Sequence, residues 1–240
     1  MIAAAAIKGL PEVRPGDDLA ALLRGHVGDG DVLVLAHKVV SKAEGRVVAL
    51  ADVEPGERAR GLAGPHGKDP RHVQAILDEA AEIVRERPGV LICRTRHGFV
   101  CANAGVDASN APDGHLVLLP EDPDASARAL RRALGARCAV VIADSFGRAW
   151  RVAQVDVAIG IAGLAVVDDW AGRRDRSGRE LRATAIAIAD EAAAAADLAR
   201  AGKDAGEPAV VVRGLDRWIT DADGPGAAAL VRDRASDLFA

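Results

Sequence analysis

The sequence predicts a single domain over residues 1–240 in which α and β elements are mixed. Segments typical of strands alternate with segments typical of helices along the whole chain. No Ser- or Pro-rich linker and no internal repeat divides it, and 240 residues are enough to bury a sizeable core. These observations favour one domain of mixed secondary structure.

Short apolar runs bounded by Gly, Pro or polar residues predict the strands. These runs cover residues 2–8, 31–36, 90–92, 99–101, 115–119, 139–143, 164–167 and 209–212. Residues 154–162 form a further apolar run, which a single carboxylate, Asp156, interrupts. His97 and Gly98 separate two of the runs where a tight reversal is needed, so residues 90–101 are expected to form a hairpin.

Capping residues followed by periodic apolar side chains predict the helices. Asp18 opens a short helix that runs to Arg24, and Asp69 with Pro70 opens the clearest one. This second helix is expected to continue up to Arg87. Its apolar face comprises Val73, Ile76, Leu77, Ala80, Ile83 and Val84. Two further helices are expected over residues 123–134 and 182–201, and an exposed loop is expected over residues 168–179.

The polar stretch after the hairpin is the first candidate site. It carries Asn103, Asp107, Ser109 and Asn110, and Gly105 relaxes its backbone. A carboxylate with amide and hydroxyl neighbours suits a hard cation or a phosphate group. The alternative is an Asx-turn loop in which Asp107 and Asn110 bond only to their own backbone.

The second candidate site follows a later buried strand. Asp144 and Ser145 can each give an oxygen to Mg²⁺ or Mn²⁺, and Arg148 and Arg151 can bind phosphate or carboxylate groups. The alternative is that Asp144 only caps the turn after the strand. Together, Asp107 and Asp144 place two carboxylates on separate strand-end loops, an arrangement that commonly forms a metal site.

The basic residues are strongly biased towards arginine, because the chain has 26 arginines and only five lysines. The lysines are Lys8, Lys38, Lys42, Lys68 and Lys203. A lysine retained in such a chain indicates a position that needs a compact ammonium group, unless the five are simply scattered. Lys38 and Lys42 follow the buried strand over residues 31–36 in a segment expected to be a cationic loop. Phosphate sites of α/β proteins lie at such strand ends.

Charge, hydropathy and motifs exclude several classes of function. The formal net charge of −4 gives no basic field for nucleic acid, and no apolar run reaches the roughly 18 residues of a membrane span. The first residues lack the basic region of a signal peptide, and three cysteines without a Cys-x-x-Cys pair favour neither zinc nor disulfides. A cytoplasmic location is therefore expected. The P-loop, Gly-x-Gly-x-x-Gly and Gly-x-Ser-x-Gly motifs are absent from the sequence.

Five segments, in the same order along nearly the whole chain, resemble the coenzyme F420-0:L-glutamate ligase family, also called γ-glutamyl ligases. They are GLPEVRPGDDL (residues 9–19), KVVSKAEGR (38–46), RTRHGFVCANAGVDASN (94–110), DSFGR (144–148) and the stretch over 156–164. The resemblance implies the α+β γ-glutamyl ligase fold, in a stand-alone ligase domain that forms an intertwined homodimer.

The resemblance also implies an activity. Members of the family use GTP as co-substrate and a divalent metal, Mg²⁺ or Mn²⁺, and K⁺ is the expected monovalent cation. They join L-glutamate to the lactyl-phosphate carboxylate of coenzyme F420-0 and then add further glutamates through γ-linkages. The γ-phosphate of GTP is expected to convert the carboxylate into an acyl phosphate, which the glutamate amine attacks.

The matching positions imply a set of site residues. GTP contacts are implied for Leu10, Pro11, Glu12, Val13, His37, Lys42 and Asn110. Metal coordination is implied for Asp107, Asp144 and Ser145, where Ser145 replaces the Thr of many members. The two carboxylates are the catalytic candidates. The segment around Gly202 and Lys203 matches the part of the family that closes over GTP.

Two other classes of protein could use the same residues. A metal-dependent phosphohydrolase would need the carboxylates but no amine substrate. A non-catalytic GTP-binding regulatory protein would bind the nucleotide without turnover.

Overall fold

The computed structural model describes residues 1–237 and contains both helices and several sheets, which confirms the predicted α+β class. The strands of these residues are β1 (Ala3–Ala6), β2 (Val32–Ala36), β3 (Val47–Ala49), β4 (Ala80–Arg87), β5 (Val90–Thr95), β6 (Val100–Ala102), β7 (His115–Val117), β8 (Ala139–Arg148), β9 (Arg151–Ala162), β10 (Asp168–Asp169), β11 (Ala185–Ile186) and β12 (Ala209–Arg213). The α-helices are α1 (Leu19–Leu23), α2 (His37–Ala43), α3 (Glu57–His66), α4 (Pro70–Glu79), α5 (Pro123–Leu134) and α6 (Ile188–Ala199).

A five-stranded mixed sheet is the centre of the molecule, with the strand order β1-β12-β2-β8-β9. β2 and β8 run parallel, and every other neighbouring pair in this sheet is antiparallel. Ala36 lies opposite Ala143 in the parallel pair, so the chain continues from both positions at the same edge of the sheet. This register brings together the polar residues that follow Ala36 and Ala143.

Side chains of the central strands alternate between two hydrophobic cores, as the period of a strand requires. Val32 and Val34 pack in one core with the alanine-rich face of α6. Leu33 and Leu35 pack in the other, together with Leu23 of α1 and buried residues of α5. The sheet is therefore covered on both faces by helices.

A second layer carries the predicted hairpin. β4, β5 and β6 form an antiparallel sheet in which Cys93 lies opposite Cys101, and Gly98 in the turn has a φ of 93°. This confirms the tight reversal at His97 and Gly98. The sheet packs with α3 and α4 around a third core, and β3 pairs with β7 beside it.

Several sequence-based assignments were wrong in extent or type. The helix that begins after Asp69 ends at Glu79, and residues 80–87 form β4, because this segment pairs with β5 along its length. Residues 164–167 contribute only an isolated bridge between Leu164 and Ile219. The helix expected over residues 182–201 starts at Ile188. Residues 168–179 include the short strand β10 before the exposed loop.

No helix in residues 1–237 combines the length and the apolar character needed to cross a membrane.

Gly160 allows α5 to pack closely on β9, and its replacement by Ala is expected to destabilise the fold. A Cβ at this position would lie 2.4 Å from the carbonyl oxygen of Pro123, a backbone atom that cannot move without shifting α5. We expect Gly160→Ala to lower the free energy of unfolding by about 1–3 kcal/mol, the usual cost of overpacking.

Gly147→Ala on β8 is the matched control for this prediction, because a Cβ at Gly147 would meet nothing within 4 Å. Urea unfolding curves of the two variants and the wild type measure the difference. Equal stability of both variants would contradict the close approach.

Candidate active site

A cavity of about 300 Å³ lies at the edge of the main sheet where β2 and β8 run side by side. Its walls come from residues 10–13, the start of α2, residues 143–145 of β8, the end of α6 and the loop over residues 202–208. Elements far apart in sequence meet here because β2 and β8 are neighbours in the sheet. The cavity therefore joins segments that carry the predicted site residues.

Nearly all of the predicted site residues line this one cavity. Those in its wall are Leu10, Pro11, Glu12, Val13, His37, Lys42, Asn110, Asp144 and Ser145. Asp107 lies beside the cavity and is joined to it through Lys38. Arg148 and Arg151 lie opposite each other at the end of the β8–β9 hairpin, outside the cavity.

Lys42 lies on a helix and is buried, contrary to the prediction of a cationic loop. α2 begins at His37 directly after β2, and Lys42 in its last turn is only 9% exposed. Its Nζ forms a short ion pair with Oε1 of Glu12, which belongs to the loop over residues 10–13. The structure therefore brings together two of the segments for which the resemblance implies GTP contacts.

Lys38 is the link between the cavity and the polar loop after the hairpin. Its Nζ lies 2.5 Å from Oδ2 of Asp107 and 2.6 Å from Oγ of Ser109. Burial raises the pKa of Asp107, but the hydrogen bonds from Lys38 and Ser109 outweigh it and lower the pKa to about 2. Asp107 is therefore ionised across the physiological pH range.

The polar loop also forms the Asx-turn that was the alternative reading. The backbone N–H of Ser109 donates to Oδ1 of Asp107 at 2.8 Å. Asn103 accepts a hydrogen bond from the backbone of Leu91 at 3.3 Å, so its side chain serves the hairpin. Asn110, with a φ of 56°, donates to the carbonyl oxygen of Lys203 at 3.5 Å. Asp107 therefore forms the Asx-turn with Ser109 and contacts Lys38 at the same time.

Asp144 and Ser145 lie inside a strand, and not on the strand-end loop that was predicted. β8 continues to Arg148 because its second half pairs with β9. Asp144 accepts a hydrogen bond from the backbone N–H of Ser145 at 2.8 Å, and its Oδ1 lies 3.4 Å from Nε2 of His37. It does not cap a turn after the strand.

Within residues 1–237, the carboxylate of Asp144 has no Lys or Arg as an ion-pair partner. Burial lowers the pKa of His37, although the charge of Asp144 opposes this shift, so the ring is neutral at physiological pH. Among residues 1–237, no Lys or Arg comes within 4 Å of the Asp144 carboxylate. A carboxylate in a cavity without a basic partner favours binding of an external cation.

Several charged residues in the wall were not predicted as site residues, among them Asp156, Arg200 and Lys203. Asp156 of β9 accepts the hydroxyl of Ser145 at 2.5 Å and also pairs with Arg200, the residue that ends α6. Lys203 places its Nζ 2.6 Å from Oγ of Ser145. Two sequence signals pointed to Lys203. One was the scarcity of lysines, since three of the five line this cavity, and the other was the match of its segment to the part of the family that closes over GTP.

The donor atoms fit a divalent cation that also binds phosphate oxygens. Within residues 1–237 no three His, Cys, Asp or Glu side chains are grouped so that they could hold a metal ion alone. Mg²⁺ usually takes one or two carboxylates and completes its shell with water and substrate phosphates. Asp144 and the Ser145 oxygen are hard donors of this kind, whereas Asp107 already shares its carboxylate with Lys38.

The chain matches a known family over most of its length. The family model described as F420-0:Gamma-glutamyl ligase matches residues 8–214. A protein of Methanopyrus kandleri named Coenzyme F420:L-glutamate ligase is 49% identical over 235 residues, which cover 95% of this chain and 93% of the relative.

Two further relatives carry the same name. The protein of Methanothermobacter thermautotrophicus is 44% identical over 97% of this chain and 96% of its own length. The protein of Archaeoglobus fulgidus is 47% identical over 88% of this chain and 86% of its own length. The resemblance seen in the five sequence segments is thereby confirmed. The chain belongs to the F420-0:gamma-glutamyl ligase family and is a ligase.

Proposed function

We propose that the protein is a GTP-dependent ligase that adds L-glutamate to coenzyme F420-0, and then successive γ-linked glutamates, in coenzyme F420 biosynthesis. Membership of the family and the names of the relatives support the ligase reaction. The observation that carries the GTP-dependent step is the cavity itself. It combines three lysines with a carboxylate, Asp144, that has no Lys or Arg of residues 1–237 within 4 Å.

The reaction is proposed to pass through an acyl phosphate. A carboxylate is a poor acyl donor, so an oxygen of the F420-0 carboxylate first attacks the γ-phosphorus of GTP, and GDP leaves. The amine of L-glutamate then attacks the acyl carbon and loses a proton, and inorganic phosphate leaves as the amide forms. A divalent metal, when bound, would neutralise phosphate charge during this transfer.

The residues of the cavity have distinct roles in this proposal. Lys42, fixed by Glu12, supplies a compact positive charge for the phosphates, and Lys38 places a second one beside Asp107. Asp107, Asp144 and the oxygen of Ser145 are the proposed metal ligands. Leu10, Pro11, Val13, His37 and Asn110 are proposed to complete the GTP site.

A single assay tests the function. The protein is mixed with GTP, Mn²⁺, L-glutamate and F420-0 in KCl, and the product is read by mass spectrometry, with NaCl replacing KCl in a parallel reaction. We expect a product heavier than F420-0 by one or more glutamyl residues, and none after the metal is removed with EDTA. Phosphate release without L-glutamate and F420-0 would favour the phosphohydrolase, and GTP binding without any turnover would favour the regulatory protein.

We also propose a homodimer. The resemblance supports it, and the end of the β8–β9 hairpin carries two strongly exposed apolar residues, Trp150 at 86% and Val152 at 91%. Light scattering at micromolar concentration is expected to report about twice the chain mass of 24.8 kDa. A value equal to one chain would contradict the dimer.

A further inference from the structure

Ser145 lies between two charged groups that fix the direction of its hydroxyl proton. Its Oγ is 2.5 Å from Oδ1 of Asp156 and 2.6 Å from Nζ of Lys203. A hydroxyl has one proton to donate and two lone pairs, a carboxylate only accepts, and an ammonium only donates. The proton of Ser145 therefore points to Asp156, and its lone pairs point to Lys203.

Asp156 is itself held in place, so it can impose this direction. It is 2% exposed, and it lies directly opposite Ser145 in the antiparallel pairing of β8 and β9. Its second oxygen pairs with Nη1 of Arg200, which ends α6 and is also buried. Each oxygen of Asp156 is thus held by a neighbouring side chain of the protein.

We infer that Asp156 is a positioning residue that holds the Ser145 hydroxyl with its lone pairs towards the cavity. Oγ of Ser145 can then bind a cationic partner. The cation is the ammonium of Lys203 in this structure, and in the ligase reaction it would be the divalent ion that accompanies GTP. Partners behind a ligand commonly orient it in this way. This inference rests on the proposed function for the identity of the nucleotide.

Asp156→Asn reverses the hydroxyl with little change in shape. The amide oxygen of the new side chain pairs best with Arg200, so its NH₂ group faces Ser145 and donates to Oγ. The Ser145 proton must then point into the cavity, where it opposes a cation. We expect at least a tenfold weaker affinity for a non-hydrolysable GTP analogue with Mn²⁺, measured at equilibrium, and a similar loss in kcat/KM for GTP.

A double-mutant cycle separates positioning from a merely structural role. In the Ser145→Ala background there is no hydroxyl to orient, so Asp156→Asn is expected to change the affinity less than about threefold. Asp156→Glu gives a second cycle that keeps a charge beside Arg200, in case the loss of that charge unfolds the protein. Melting curves establish that each variant is folded at the assay temperature.

Asp190→Asn is the matched control. Asp190 also bonds to β9, accepting the N–H of Ala158 at 2.9 Å, but it lies outside the cavity wall, so its replacement should leave the affinity unchanged.

Equal losses with and without the Ser145 hydroxyl would overturn the inference, as would an unchanged affinity of the folded Asp156→Asn variant. The binding measurement needs no turnover. A wild-type protein that binds the nucleotide but forms no glutamyl product would therefore contradict the proposed function. The double-mutant cycle would still decide the role of Asp156.

Discussion

Replacement of Asp144 by Asn is expected to lower kcat at least a hundredfold, about 2.7 kcal/mol in activation free energy. Asp144 is a carboxylate of the cavity wall with no Lys or Arg of residues 1–237 within 4 Å, so its charge is available to a metal. An Asn at this position keeps the shape and one acceptor oxygen but removes the charge. The apparent affinity for Mn²⁺ should fall together with the rate.

The fold should tolerate this change. The backbone hydrogen bond from Ser145 at 2.8 Å can be kept by the amide oxygen, and His37 is neutral, so no buried cation is left without a partner. We expect the melting temperature to stay close to that of the wild type. Asp190→Asn removes a carboxylate outside the cavity and should leave kcat unchanged.

Asp107→Asn is also expected to lower kcat and the apparent affinity for Mn²⁺, and it should release Lys38 from its 2.5 Å contact. Steady-state kinetics over a range of Mn²⁺ concentrations measure both variants. Near-normal activity of Asp144→Asn at low metal would remove this residue from the site.

The sequence predicted the elements whose signals are local. The hairpin after Val90 was found from two apolar runs around Gly98, and α5 was found from its amphipathic pattern, with the predicted bounds 123–134. Both signals lie within a few residues of the element they define. The strands of the central sheet were found in the same way, since buried strands are short apolar runs.

Elements that depend on distant partners were missed. α2 starts at His37 without a side-chain cap, because Ala36 is both the end of β2 and the residue before the helix, so no start signal exists. Ile83 continues the helical pattern of α4 but pairs with Cys93 in a sheet. Tertiary pairing decided these cases, and periodicity alone could not.

The site residues also divide into those that the sequence identified and those that depend on distant partners. Nearly all of the residues found by resemblance line one cavity, although Asp144 and Ser145 occupy a strand where a loop was expected. Asp156 was read as a polar interruption of an apolar run. Its contact with Ser145 depends on the register of β8 and β9, which appears only when the two strands are paired.

Lys42→Met is expected to lower the affinity for GTP at least thirtyfold, about 2 kcal/mol, the range of a hydrogen bond to a charged group. Met keeps the length of the side chain and fills the same buried space beside α2, so the fold should persist. What it removes is the ammonium that Glu12 holds at the cavity wall. Equilibrium binding of a non-hydrolysable GTP analogue measures the loss.

Lys42→Arg separates the position of the charge from its presence. Arg keeps the charge, but a planar guanidinium needs a wider, bidentate geometry than an ammonium, and Lys42 is only 9% exposed. We therefore expect at least a tenfold loss in kcat/KM for GTP, about 1.4 kcal/mol, and a loss of stability of about 1 kcal/mol from overpacking.

Lys68→Arg is the control, since Lys68 lies outside the cavity wall and should tolerate the change in both measurements. The comparison is informative because Lys42 is buried. A lysine on a flexible loop could be replaced by Arg because the loop would adjust, whereas Lys42 is set in the last turn of α2 and paired with Glu12. A Lys42→Arg variant with full activity would mean that the phosphates bind elsewhere in the cavity, and that the pair with Glu12 serves only to join the loop over residues 10–13 to the helix.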